Sequence, residues 1–349
     1  MHRRREALRD RYMDGGIALH PLSKLALVIA GSFSADENAD PGSLLNYLPD
    51  ELACRCDIKE WSCQPSTHYS MPMTMAMEEM LESVAAEGYA GIIVVSGCGV
   101  MEEIAYLVNL LWKRSEPVIF ANLMVQGRAG VKEGLMNLHC AVLAALSPGA
   151  QNRGVLICSS GELFDAGDAV LADPESPDNA FQSPLRGTIG KMLNGELKFL
   201  QDSKRPVFLA VRPKEIPYVE IMWASLGGGD GMLSSLLHAR ELKGLVLAGF
   251  GAGNVPPSWV PMIRNLVRSR VEVAVVSRCF QGSVHKTNDF EGSFEKLEEL
   301  GVMSAGRLNP FKARIRMALG ISAGLTHNGL SLYMLNQPVS DNITELYRL

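Results

Sequence analysis

No run of apolar residues in this chain approaches the roughly 20 needed to cross a bilayer, so no membrane span is expected. No apolar stretch follows the basic start Met1-His2-Arg3-Arg4-Arg5, which Glu6, Asp10 and Asp14 interrupt, so it does not read as a secretory leader. Residues 1–20 read instead as an arm ahead of the first strand. Positive charge is not in excess: 33 Lys+Arg against 38 Asp+Glu leave a net −5, which argues against nucleic acid or an acidic membrane as partner. Seven cysteines, an odd number with no export signal, fit reduced thiols in a cytoplasm better than a disulfide framework. No repeat of fixed period and no low-complexity tract appears. What is present is length and apolar content, 349 residues at 47% hydrophobic, enough for two packed domains.

The most informative stretch runs from Ala90 to Lys113. Tyr89 to Val95 is a short apolar, β-branched run, as in a strand buried on both faces. Ser96-Gly97-Cys98-Gly99-Val100 follows, and Met101 to Leu111 then carries a helical apolar stripe at 101, 104, 107, 108 and 111. Strand, glycine turn and helix place Ser96 and Cys98 where open α/β sheets bind ligands, beside the positive end of a helix dipole. Glu102 and Glu103 open that helix and complement the dipole.

Along the chain, strands are expected at Lys24–Ala30, Ala53–Trp61, Pro117–Ala121 and Gly154–Cys158. Helices are expected at Pro72–Glu87 and Gly134–Leu146, with a hairpin and surface loop between Glu162 and Pro184. The pattern weakens from Gln201 to Pro217, where prolines and basic residues crowd together, and the linker is placed at 204–217. Alternation then resumes, with strands Tyr218–Trp223, Gly244–Ala248 and Val271–Val276 and helices Gly231–Arg240, Ser258–Arg270 and Pro310–Gly320. The expected class is α/β with two parallel-sheet domains, residues 21–203 and 218–349, the first carrying the site.

Five ordered segments resemble the bacterial-type L-asparaginase/glutaminase family: Val94 to Tyr106, Arg153 to Leu156 together with Asp165 to Asp168, Gly244 to Pro257, Val275 to Cys279 and Gly306 to Arg314. The resemblance implies an asparaginase-type α/β fold and a homo-oligomer, a tetramer built as a dimer of dimers. It also implies a site at the carboxyl end of the first sheet and a small amino-acid-like ligand. The family's amidohydrolase chemistry implies a threonine nucleophile after the first strand, a tyrosine on a nearby loop, and a Thr-Asp pair with a lysine; a hydroxyl needs such partners to attack an amide. This chain departs at each position. Phe33 aligns with the nucleophile, no tyrosine lies between Phe33 and Tyr47, Cys98-Gly99 stands at the Thr-Asp pair, and Leu171 at the lysine.

The surviving binding groups implied by the resemblance are Ser66 and Thr67, which align with residues holding the substrate carboxylate and amino group. The turn Ser96-Gly97-Cys98-Gly99 remains beside them, and Asn254 matches an asparagine reaching a neighbouring subunit's site. Catalytic candidates are Cys98, whose helix-start position lowers a thiol pKa, His68 as its base, and Ser32 or Ser34 as displaced hydroxyls. Two functions follow as expectations: a repurposed enzyme acting on a small amino-acid-like, amide or dicarboxylate-like substrate, and a catalytically silent binding or scaffold subunit. Residual amide hydrolysis through Ser32 or Ser34 is a third.

Other constellations read as structural. Cys54, Cys56, Cys63 and His68 have zinc-binding residue types, but the spacing is not that of a finger, and Cys54 and Cys56 fall on one face of the expected strand as small core groups. Gly227-Gly228-Gly229-Asp230-Gly231 opens a helix but lacks the Lys-Ser/Thr of a phosphate loop. Met71, Met73, Met75 and Met77 read as core or interface filling. No metal or cofactor is expected.

Overall fold

The computed structural model describes residues 23–31, 40–123, 127–175, 180–287 and 289–339. The chain forms two compact units, residues 1–205 and 206–349.

The first unit is built on an eight-stranded sheet ordered β10-β9-β6-β5-β4-β3-β1-β2. Its strands are β1 (Leu25–Ala30), β2 (Cys56–Ser62), β3 (Gly91–Ser96), β4 (Val118–Asn122), β5 (Val155–Ser159), β6 (Glu162–Asp165), β9 (Gly190–Leu193) and β10 (Glu196–Phe199). A separate pair joins β7 (Val170–Leu171) to β8 (Phe181–Gln182). Helices are α1 (Asp50–Ala53), α2 (Met71–Ala86), α3 (Met101–Leu111) and α4 (Gly127–Leu146). Strands β2, β1, β3, β4 and β5 run parallel, whereas β6, β9 and β10 are antiparallel. The sheet is therefore mixed, not purely parallel. The turn Leu193-Asn194-Gly195-Glu196 explains the added edge, because Asn194 and Gly195 both have positive φ, as a two-residue hairpin requires.

The β-branched runs form central strands because both sheet faces are covered. Leu25, Leu27 and Ile29 pack under α4, while Ala26, Val28 and Ala30 pack under α2 and α3. Each such side chain is essentially buried, and full burial of a Leu, Ile or Val is worth about 1.5–3 kcal/mol. Ser70 caps α2 through its hydroxyl, which accepts from Met73 N at 3.3 Å. Met75 and Met77 are buried in the core, and Met71 and Met73 in the first turn are half-buried.

The cysteine reading needs correction. Cys54 caps the C-terminus of α1 and is exposed, while Cys56 begins β2 and is buried, so the two do not share a strand face. Among the described residues no group of three or more His, Cys, Asp or Glu side chains is placed to hold a metal.

The second unit carries a parallel sheet ordered β11 (Tyr218–Trp223), β12 (Leu242–Gly249), β13 (Glu272–Ser277) and β14 (Met303–Ser304). Around it lie α5 (Asp230–Leu236), α6 (Val260–Arg268), α7 (Phe294–Glu299), α8 (Pro310–Ser322) and α9 (His327–Met334). The glycine cluster Gly227–Gly231 is a packing device: Gly229 adopts φ +97°, and a Cβ there would stand 2.3 Å from the Trp259 ring. Residues 206–217 contain no helix or strand.

Candidate functional site

The strand order fixes where a ligand can enter the first unit. From β1 the chain moves outward to β2, then returns to the other side of β1 as β3. Such a reversal opens a crevice at the carboxyl ends of the two strands that flank it, here β1 and β3. The turns leaving β1, β2 and β3 meet there. Gly31, just after β1, adopts φ +150°, a backbone conformation few side chains tolerate. A Cβ on it would lie 3.5 Å from Gln64 O in the β2 turn and 3.6 Å from Gly97 N in the β3 turn. Ser32, Phe33 and Ser34, the next residues, lie outside the described residues.

The β2 turn brings a short 3-10 segment, Ser66–His68, against the β3 turn. Ser66 Oγ lies 3.0 Å from the position a Cβ on Gly97 would take, and Thr67 Cγ2 lies 3.2 Å from that of Gly99. Ser66 is buried at 5% exposure, whereas Thr67 and His68 are exposed. Ser96, the last residue of β3, is buried, and its hydroxyl donates to Gly97 O at 3.4 Å. The geometry thus joins Ser66 to Gly97 and Thr67 to Gly99. Among the described residues no hydrogen bond connects the His68 ring to the Cys98 thiol.

Cys98 is half-buried against the core face that holds α2 and α3. Burial pushes its thiol pKa up, opposite to the direction expected from a helix start. The reason is position: Cys98 precedes the helix by three residues, Val100 is the cap, and Cys98 O accepts from Met101 N at 3.1 Å. Glu102 and Glu103 occupy the first turn of α3.

Leu171 lies in β7, half-buried against the same core face. Two carboxylates shape the loop leading to it. Asp165 accepts from Gly167 N at 2.8 Å and Lys204 N at 3.0 Å, with Arg186 3.6 Å away. Asp168 accepts from Leu185 N and Arg186 N at 2.9 and 2.8 Å. Both are buried, and both are engaged in holding backbone. Sequence reading named this segment but did not assign these two residues; aspartates flanking Ala-Gly are the local signal for such turns.

In the second unit, Asn254 Oδ1 accepts from Phe294 N at 3.2 Å, and its backbone pairs with Phe250 to close the turn after β12. Its side chain therefore fixes its own unit's loop.

Similarity to known proteins follows the same two-part division. The family described as asparaginase, N-terminal, matches residues 28–205, and the glutaminase/asparaginase C-terminal domain matches residues 218–334. An L-asparaginase of Bacillus licheniformis is 26% identical over 307 residues, 87% of this chain and 92% of that protein. A probable L-asparaginase of Deinococcus radiodurans is 27% identical over 319 residues, 88% and 96% of the two chains. The crystal structure of a probable cytoplasmic L-asparaginase from Campylobacter jejuni superposes with a TM-score of 0.79 at 25% identity, covering 90% of this chain and 99% of that one. The chain belongs to the asparaginase/glutaminase family.

Proposed function

We propose that this chain is an asparaginase-family protein whose pocket binds a small ligand bearing a carboxylate, and that it has given up the family's hydrolysis of asparagine. The observation carrying this reading is the interlocked pair of turns, Ser66-Thr67 against Gly97-Cys98-Gly99, which keeps the buried Ser66 at the strand-end crevice with only neutral side chains in the two turns themselves. With Phe33 at the nucleophile position, Cys98-Gly99 at the Thr-Asp pair and Leu171 at the lysine, no described side chain completes a proton relay for amide attack.

Catalysis by a Cys98–His68 pair gains no support from the raised thiol pKa, so binding without turnover is the favoured reading. Ser32 and Ser34 are the hydroxyls through which the second reading, a repurposed or residual hydrolase, would act. In either case a homo-oligomer, a soluble cytoplasmic setting and the boundaries at 203–218 belong to the same proposal; among the described residues no helix is long and apolar enough to cross a membrane. The test is a thermal-shift screen of the full chain against amino acids, their amides and dicarboxylates, followed by mass spectrometry of each stabilising compound. A raised Tm without conversion supports a binder. Conversion of any of them supports the enzyme.

A further inference from the structure

Two thiols meet in the core of the first unit, where the strand-end turns make no use of them. Cys140 lies on α4 and Cys158 on β5; both are free, both have 0% exposure, and both belong to one apolar cluster. Cys158 sits within the sheet, opposite Ala121 of β4 on one side and Leu163 of β6 on the other. Its Sγ donates to Asn137 O of α4 at 3.3 Å. Cys140 follows Asn137 by three residues, so it shares that helix face, and its side chain leans back over the same turn. The Cys140 thiol accordingly lies within hydrogen-bonding reach of the Cys158 thiol. A second bond, from Gly161 N to Asn137 Oδ1 at 3.2 Å, holds the turn after β5 to the same residue.

Facing thiols differ from a single buried cysteine in having a common product, a disulfide. In the folded chain neither residue is exposed. Burial, with the neighbouring Cys140 adding to it, holds the Cys158 thiol well above its ordinary pKa, so thiolate is scarce and exchange is slow. The unfolded chain has no such barrier. There the Cys140 thiolate attacks one sulfur of a small-molecule disulfide, such as glutathione disulfide, and expels one glutathione thiolate. The Cys158 thiolate then attacks the Cys140 sulfur of that mixed disulfide and expels the second. Two protein thiols lose two protons and two electrons, the S–S bond of the reagent breaks, one S–S bond forms in the protein, and two glutathione thiols leave. The closed loop restricts the unfolded chain and so favours the folded one.

We infer that Cys140 and Cys158 form a redox-modification site, which closes to a disulfide when the chain folds in the presence of a small-molecule disulfide and, once covered by α4, keeps the oxidation state in which it folded. The inference is independent of what the strand-end pocket binds.

Refolding the reduced, denatured full-length chain in mixtures of reduced and oxidised glutathione tests it, followed by alkylation in denaturant and non-reducing peptide mapping. In the oxidising mixture the main protein disulfide is expected to join Cys140 to Cys158. It should survive a dithiothreitol wash that strips glutathione from the exposed Cys54, Cys63 and Cys279. The native reduced chain, given the same oxidised glutathione without denaturant, should form that bond at least tenfold more slowly. The oxidised product should melt at least about 3 °C above the reduced one, a difference that Cys140→Ala and Cys158→Ala each abolish. Absence of the Cys140–Cys158 bond, or pairing of either cysteine with another, would overturn the inference. Equally fast closure in the native chain would overturn its claim that the fold keeps the oxidation state. Should refolding end in aggregate, cell-free synthesis at the same glutathione ratios, mapped in the same way, decides.

Discussion

Cys98 shows how far a single residue can be read from its neighbours in sequence. Its place between two glycines at the mouth of a helix was legible; its solvation was not, because burial depends on α2 and α3 packing across the turn. With the thiol pushed up, thiolate is scarce at neutral pH. Iodoacetamide at pH 7.5, followed by peptide mapping, should therefore modify Cys98 several-fold more slowly than the exposed Cys54, Cys63 and Cys279, with the rate climbing as pH rises past 9. Cys98 labelling faster than those three would show an activated nucleophile. The buried Cys56 thiol at the start of β2 is pushed from its ordinary 9.0 up to about 12, chiefly by burial. A thiol raised on folding holds its proton longer in the folded chain, so its contribution is intact below about pH 9 and is lost as pH climbs toward 12. In that window each such thiol costs about 1.4 kcal/mol of stability per pH unit. Urea midpoints at pH 8 and pH 10 should accordingly converge in Cys56→Ala relative to wild type; an unchanged gap would refute the assignment.

Elements were more legible than their sites. Strands such as Gly91–Ser96 and Glu272–Ser277 could be placed because sheets covered on both faces leave unbroken apolar runs. The hairpin of β9 and β10 was missed although Asn194-Gly195 is a strong hairpin signal, since the flanking Lys191 and Lys198 break the apolar alternation. The short helices Phe294–Glu299 and His327–Met334 were missed for a different reason: with six and eight residues they rest on tertiary packing more than on periodicity. Capping then supplies much of the local definition. In α8, Asn309 Oδ1 accepts from Lys312 N at 2.8 Å ahead of Pro310. Asn309→Ala should lower unfolding free energy by about 1 kcal/mol, read from denaturant midpoints, and Asn309→Asp should recover most of it. At the site end of β1, Gly31→Ala at φ +150° should cost about 1–3 kcal/mol even though its Cβ would meet only ordinary contacts. A neutral effect there would mean that the turn relaxes and does not hold the three strand ends together.

For the molecule as a whole, the family is written in separated segments of sequence, whereas the contacts at the strand ends join turns that the sequence does not pair. That is why the fold could be anticipated from the sequence while the contact of Thr67 with Gly99 could not. The two units are joined by a stretch without helix or strand, in which Lys204 and Lys214 are exposed while Arg205 and Arg212 each precede a proline. Brief trypsin treatment should therefore cut first after Lys204 or Lys214 and leave two fragments resistant to further digestion; a first cut within either sheet would contradict this division. The central claim, that the cavity persists after its amide-cleaving groups are gone, is tested most directly by incubating the purified full-length protein with L-asparagine and L-glutamine and measuring ammonia. The account predicts no release above the protein-free control. Release from either at the rate of an ordinary enzyme would contradict it.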